Sequence, residues 1–108
     1  MKEFAATERQ RAVSALSEAK KLVDTHPDSA VSRAYYAAFH ALTALFALRG
    51  QSFSKHSAIR AALHRDLIRS GDWSADLGEA YELLISIRRR GKLWRHVAGV
   101  GKEREIVS

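Results

Sequence analysis

With 108 residues, of which 46% are hydrophobic and 28% charged, the chain can bury one modest core and is too apolar for a disordered segment. It has no cysteine, which excludes disulfides and thiolate metal sites and fits a reducing cytoplasm. Lys and Arg number 18 against 12 acids, a formal charge of +6 that favours polyanionic partners, nucleic acid first.

The start, Met1-Lys2-Glu3-Phe4, lacks the apolar run of a signal peptide. The longest apolar stretch, 34–48, is broken by His40 and Thr43 and falls short of the roughly 20 residues a membrane span needs. A soluble, cytoplasmic protein with no membrane partner is expected.

Periodicity reads as helix throughout, because no run alternates apolar and polar residues over strand length. A first helix is predicted over about 3–24, with Ala12, Leu16, Ala19 and Val23 as its apolar stripe and Arg11, Glu18, Lys20 and Lys21 solvated. Thr25-His26-Pro27-Asp28 reads as a stop and restart: proline suits a first helical turn, and an acid favours its positive end. The second helix, about 28–49, stops at Gly50. Tyr35, Phe39, Leu42 and Phe46 form one stripe and alanines fill the other sides, which makes this the central helix.

Ser54 is predicted to cap a third helix that runs to about Arg69, with Ile59, Ala62 or Leu63, and Leu67 inward. Arg60, Arg65 and Arg69 read as its solvated basic face, with RNA docking as the alternative, and His26 and His64 as surface residues. A fourth helix covers about 74–89, with Leu77, Ala80, Tyr81, Leu84 and Ile87 inward and Trp73 as a packing anchor. The fold class this implies is all-α: a four- to five-helix up-down antiparallel bundle, one domain over 1–108, whose residues 91–108 form a short frayed tail.

The second helix carries one polar line. Arg33, Tyr36 and His40 recur at i, i+3 and i+7, which places them on one face, and Thr43 continues it. A charged group on so apolar a helix needs a partner or a route to solvent. RNA cleavage by its own 2′-hydroxyl needs a base that works near neutrality and a cation for the developing phosphorane. Histidine and arginine supply these, and Tyr36 can stack a base or position His40. In the alternative reading, Arg33 and His40 tie the second helix to a neighbour through carboxylates and carbonyls.

Two basic blocks accompany the line. Lys55-His56 stands at a helix start, where a cation gains nothing from the dipole, so contact with a phosphate or an acid is one reading and a solvated pair the other. Arg88-Arg89-Arg90-Gly91-Lys92, followed by Trp94, mixes cations and an aromatic as single-stranded nucleic acid recognition does, and a solvated helix end is its alternative. The five histidines show no metal-ligand spacing, and no metal or other cofactor is expected.

Ser-Arg-Ala-Tyr-Tyr-Ala-Ala-Phe-His-Ala (Ser32–Ala41), then Lys55-His56, then Arg88 with Gly91, resembles the HEPN family (higher eukaryotes and prokaryotes nucleotide-binding), in its small stand-alone prokaryotic branch. The resemblance implies a four- or five-helix bundle, usually dimeric, and in many members a metal-independent ribonuclease with an Arg and a His separated by four to six residues. Arg33 and His40 have six between them. Three positions depart from the pattern: Ala34 follows Arg33 where a polar residue is common, and Lys92 and Leu93 stand where the family has Asp-Tyr.

The expectation is a HEPN-type RNA-binding homodimer, with Arg33, Tyr36 and His40 as catalytic residues and Lys55, His56, Arg88, Arg89, Arg90 and Lys92 as nucleic-acid contacts. The resemblance further implies a metal-independent endoribonuclease toxin of a toxin–antitoxin pair, whose other half is a small nucleotidyltransferase. The alternative is a non-catalytic nucleotide-binding or protein-interaction module.

Overall fold

A computed structural model describes residues 2–89. Among them all regular structure is helical: α1 (Lys2–Leu22), α2 (Pro27–Leu48), α3 (His56–Ala62), which continues as a π-helical turn (Leu63–Ile68), and α4 (Ala75–Arg89). None of these helices is long and apolar enough to cross a membrane. Arg90, Lys92, Leu93, Trp94 and the tail expected over 91–108 lie outside the described residues.

The ends of α2 follow from its sequence. Pro27 sits in the first turn, where its missing N–H costs nothing. Gly50, at φ +78°, closes the other end in a Schellman arrangement. There Gln51 N donates to the carbonyl of Phe46 at 2.8 Å and Gly50 N to that of Ala47 at 3.0 Å.

α2 is the central element and packs against α1, α3 and α4. Its Tyr35, Leu42 and Phe46 join Ile59, Ala62, Leu63, Leu67, Tyr81 and Ile85 in the main core, with Phe39 and Trp73 packed against it. On the opposite side α1 and α2 meet through alanines, Ala5 against Ala44 and Ala47. Short side chains let the two backbones approach closely.

The buried faces of α1 and α4 match expectation at Ala12, Ala19 and Tyr81 and differ elsewhere. In α1 the inward line is Ala5, Glu8, Ala12, Ala15 and Ala19, at helical spacing, while Leu16 and Val23 are exposed. In α4 the inward line is Gly78, Tyr81 and Ile85, with Leu84 at its edge, while Leu77 and Ala80 are exposed. A hydropathy stripe gives alanine and glycine little weight, yet close helix packing selects them.

α3 also departs in detail. Its cap is Lys55, not Ser54, and no side chain caps the first turn. The wider π turn, in which Arg69 N donates to the carbonyl of His64 at 2.9 Å, keeps Leu63 and Leu67 buried. His64 is not a free surface residue: its Nε2 lies 2.9 Å from Glu82 Oε2. Nor is the basic face fully solvated. Glu82 also accepts from Arg60 through both oxygens, with Nε to Oε2 at 2.8 Å, and Arg65 pairs with Asp66. Thus Arg60, His64 and Glu82 clamp the third helical segment to α4.

Candidate active site

Arg33, Tyr36 and His40 project from α2 into one polar trough of about 480 Å³, whose opposite wall is α1, with Arg11 and Glu18 among its lining residues. The helical spacing that aligned the three residues in sequence therefore also delivers them to one groove. They differ sharply in their surroundings.

His40 is held from below. Its Nδ1 lies 2.5 Å from Glu8 Oε2, and the other oxygen of Glu8 accepts from Arg11 Nη1 at 2.8 Å. The Glu8 residue is 4% exposed, the one charged residue buried among the described residues. A carboxylate only accepts, so the neutral imidazole facing it carries its proton on Nδ1 and leaves Nε2 as the acceptor. The His40 ring also lies against Tyr36, with centroids 6.4 Å apart, and meets Phe39 edge to face at 5.5 Å.

Arg33 is held loosely. Its Nε lies 3.2 Å from Glu18 Oε2, and both side chains are 52% exposed. A pair this open contributes about 0.2–1 kcal/mol, so an incoming phosphate can compete for the guanidinium. The expected need for a partner or for solvent is met by both.

Tyr36 connects the trough to α4. Its hydroxyl accepts from Arg88 Nη2 at 2.7 Å, and the Arg88 guanidinium carbon lies 4.9 Å from the Tyr36 ring centroid and 4.8 Å from that of Tyr35. Tyr36 therefore touches His40 through its ring and Arg88 through its oxygen. On the far side of α2, the buried Tyr35 hydroxyl meets His56 Nδ1 at 2.8 Å. The His56 ring stacks on Phe39.

The three sequence blocks thus converge. Arg33, Tyr36 and His40 share the trough, Arg88 joins through Tyr36, and His56 joins through Phe39. Lys55 and Arg89 are exposed and do not line the trough. Among the described residues no group of three His, Cys, Asp or Glu is placed to hold a metal ion.

Three site residues are not legible as such in the sequence, Glu8, Arg11 and Glu18, the last two of which read as solvated. Arg11 lines the trough and bonds Glu8. Glu8 gives one faint signal, an acid at an inward position of an alanine face, but its partner is 32 residues away in sequence.

A model of the HEPN domain matches residues 7–91. This chain belongs to the HEPN family. A UPF0332 protein from Thermotoga maritima is 39% identical over 84 residues, covering 77% of this chain and 64% of that protein, so the chain spans less than two thirds of that relative's length. No solved structure matches it. The HEPN match begins at Thr7 and so takes in Glu8, Arg11 and every α2 residue of the trough.

Proposed function

We propose that this HEPN protein binds RNA and cleaves it by a metal-independent route, with the α1–α2 trough as the active site. The observation that carries the reading is that Arg33 and His40 line one groove, His40 with Nδ1 engaged by a buried carboxylate. In the reaction, His40 Nε2 takes the proton of the ribose 2′-hydroxyl, and the 2′-oxygen forms a bond to phosphorus. The bond to the 5′-oxygen breaks, that oxygen takes a proton from water, and the hydroxide left takes the proton back from His40, which restores the base. Arg33 holds the non-bridging oxygens as negative charge develops. The products are a 2′,3′-cyclic phosphate and a 5′-hydroxyl. Tyr36 and Arg88 offer a stacking ring and a cation beside the groove, and Lys55, His56 and Arg89 extend the basic surface.

The same reading makes the chain one up-down helical domain acting as a cytoplasmic homodimer, the toxin half of a pair with a nucleotidyltransferase-type antitoxin. HEPN membership supports this, and the outer row of α1, where Val13 is 57% and Leu16 46% exposed, supports the homodimer. That row supports self-association through α1 rather than through the polar line of α2.

A second reading has its own observation. Arg33–Glu18 and His40–Glu8 both tie α2 to α1, as they would in a non-catalytic nucleotide-binding or protein-interaction module. Cleavage of a structured RNA in excess EDTA separates the two. The ribonuclease reading expects cyclic-phosphate ends from wild type and none from a folded His40→Ala variant. Wild type that binds RNA without cutting it, or cleavage that survives in His40→Ala, favours the module.

A further inference from the structure

In the reaction above Glu8 enters only as the carboxylate that meets His40 Nδ1, with no step assigned to it. We infer that Glu8 is a positioning residue: it fixes His40 in the Nδ1–H tautomer, and Arg11 in turn fixes the orientation of Glu8. The catalytic part of this inference rests on the ribonuclease reading, while the tautomer itself is decided independently.

Packing does not account for a carboxylate at position 8. The inner face of α1 is otherwise alanine, and a further alanine would continue it without burying a charge. Burying a carboxylate costs several kcal/mol unless it is paired and hydrogen-bonded. α1 and α2 already have an ion pair across the groove in Arg33–Glu18. What Glu8 adds is a specific bond to one nitrogen of one ring.

The ring has little other freedom. Tyr36 lies along it at 28° between planes, and Phe39 meets it edge-on at 68°. What remains open is which nitrogen carries the proton. Glu8 Oε2 at Nδ1 answers that, because it can only accept. With the proton on Nδ1, the lone pair is on Nε2, the nitrogen the proposed reaction requires.

Arg11 makes the inference testable. Its Nη1 donates to Oε1 of Glu8 at 2.8 Å, and a guanidinium has no acceptor. In Glu8→Gln the amide oxygen must therefore face Arg11, which turns the amide NH2 toward His40 Nδ1. An NH2 donor there forces Nδ1 to accept and moves the ring proton to Nε2, where it blocks the base. Removing Arg11 as well frees the amide to rotate and present its oxygen to His40.

The test is long-range 1H–15N correlation NMR of the imidazoles of the full chain at alkaline pH, with the His40 signals assigned by their loss in His40→Asn. Wild type is expected to show the Nδ1–H form, Glu8→Gln the Nε2–H form, and Glu8→Gln/Arg11→Ala a return to Nδ1–H. RNA cleavage in EDTA is expected to fall about 100-fold or more in Glu8→Gln, the scale of a lost general base, and to recover partly in the double variant. The same tautomer in wild type and Glu8→Gln overturns the inference, as does a double variant that stays Nε2–H. If Glu8→Gln does not fold, Glu8→Ala extends the alanine face of α1 and replaces it, and retention of Nδ1–H there is equally fatal. Wild type that shows Nδ1–H but cuts no RNA sinks the ribonuclease reading while leaving the Glu8–His40 assignment standing.

Discussion

The imidazole of His56 lies on the ring of Phe39, with 4.0 Å between centroids and 23° between planes, while its Nδ1 meets the Tyr35 hydroxyl at 2.8 Å. One exposed residue at the start of α3 thus makes two bonds to α2, one of them to a phenol buried in the core. His56→Ala removes both. Stacking contributes about 0.5–1.5 kcal/mol and the hydrogen bond about 1 kcal/mol, so urea denaturation should show a loss of about 1.5–2.5 kcal/mol. His56→Phe keeps the stack and should recover roughly half. A stability unchanged in both variants would mean that the stack is incidental to the fold.

Arg88 and Arg89 are adjacent cations with different surroundings, and they separate the two kinds of RNA contact. Arg89 is exposed and lies off the trough, so Arg89→Ala should weaken single-stranded RNA binding evenly across sequences and lower the log–log salt slope by about 0.7. Arg88 lies over Tyr35 and Tyr36 and bonds the Tyr36 hydroxyl. Lysine has a point charge and no planar fork, so Arg88→Lys should lose cleavage while nearly preserving the salt slope. Fluorescence titration at several salt concentrations reads both. Cleavage preserved in Arg88→Lys would show that Arg88 acts as charge alone.

What the sequence discloses follows from how strongly each element is patterned. α2 is surrounded by other helices, so its large apolar side chains mark its stripe, and Pro27 and Gly50 mark its ends. The faces of α1 and α4 are legible only in part, at Ala12, Ala19 and Tyr81, because their contact lines use alanine and glycine. Leu16, Val23 and Leu77 drew the stripe onto neighbouring positions and are in fact exposed. Within the site, Arg33, Tyr36 and His40 are local to one helix, and their shared face follows from spacing. Glu8 and Arg11 belong to the site only through the docking of α1 on α2, which no local period encodes.

Association in solution is testable on the outer row of α1. Val13 and Leu16 are one helical turn apart and both about half exposed, an apolar strip that the described chain leaves uncovered. Sedimentation at micromolar concentration should show a dimer for wild type. Leu16→Glu should shift it to a monomer without loss of helical signal, because the side chain does not contribute to the core. A dimer that persists in Leu16→Glu and Val13→Glu moves the interface elsewhere, and a wild-type monomer removes it.

Gly78 lets α4 approach the third helical segment. A Cβ at this position would lie 3.3 Å from His64 Cε1 and 3.3 Å from Ile68 Cγ1, tighter than ordinary contact. Gly78→Ala sets a helix-propensity gain of about 1 kcal/mol against a shift of these neighbours, and should come out near neutral. Gly78→Leu cannot be absorbed by a few tenths of an ångström and should cost about 1–3 kcal/mol. Denaturant midpoints of the two variants check this. A stable Gly78→Leu would show that the two segments are free to separate.

The clamp around Glu82 predicts an acid limb of defined origin. The Arg60 hydrogen bonds hold the Glu82 carboxyl below the usual glutamate range, burial opposes this, and the bond from His64 adds to the lowering. A group whose pKa is depressed in the folded state stabilises the fold above its unfolded value and loses that contribution as pH falls through the folded value. Wild type should therefore exceed Glu82→Gln in stability at neutral pH, with a margin that begins to shrink near the ordinary glutamate pKa of about 4.3 and continues to close below it. Asp66 is lowered by Arg65 in the same direction, so the wild-type curve alone mixes the two. Only the difference between wild type and Glu82→Gln isolates Glu82. Urea denaturation at a series of pH values from 7 down to about 3 supplies that difference. A margin that stays constant across the acid limb would mean that Glu82 holds α4 by shape and hydrogen bonding rather than by charge, and Arg60→Gln should then cost as little at pH 7 as at pH 3.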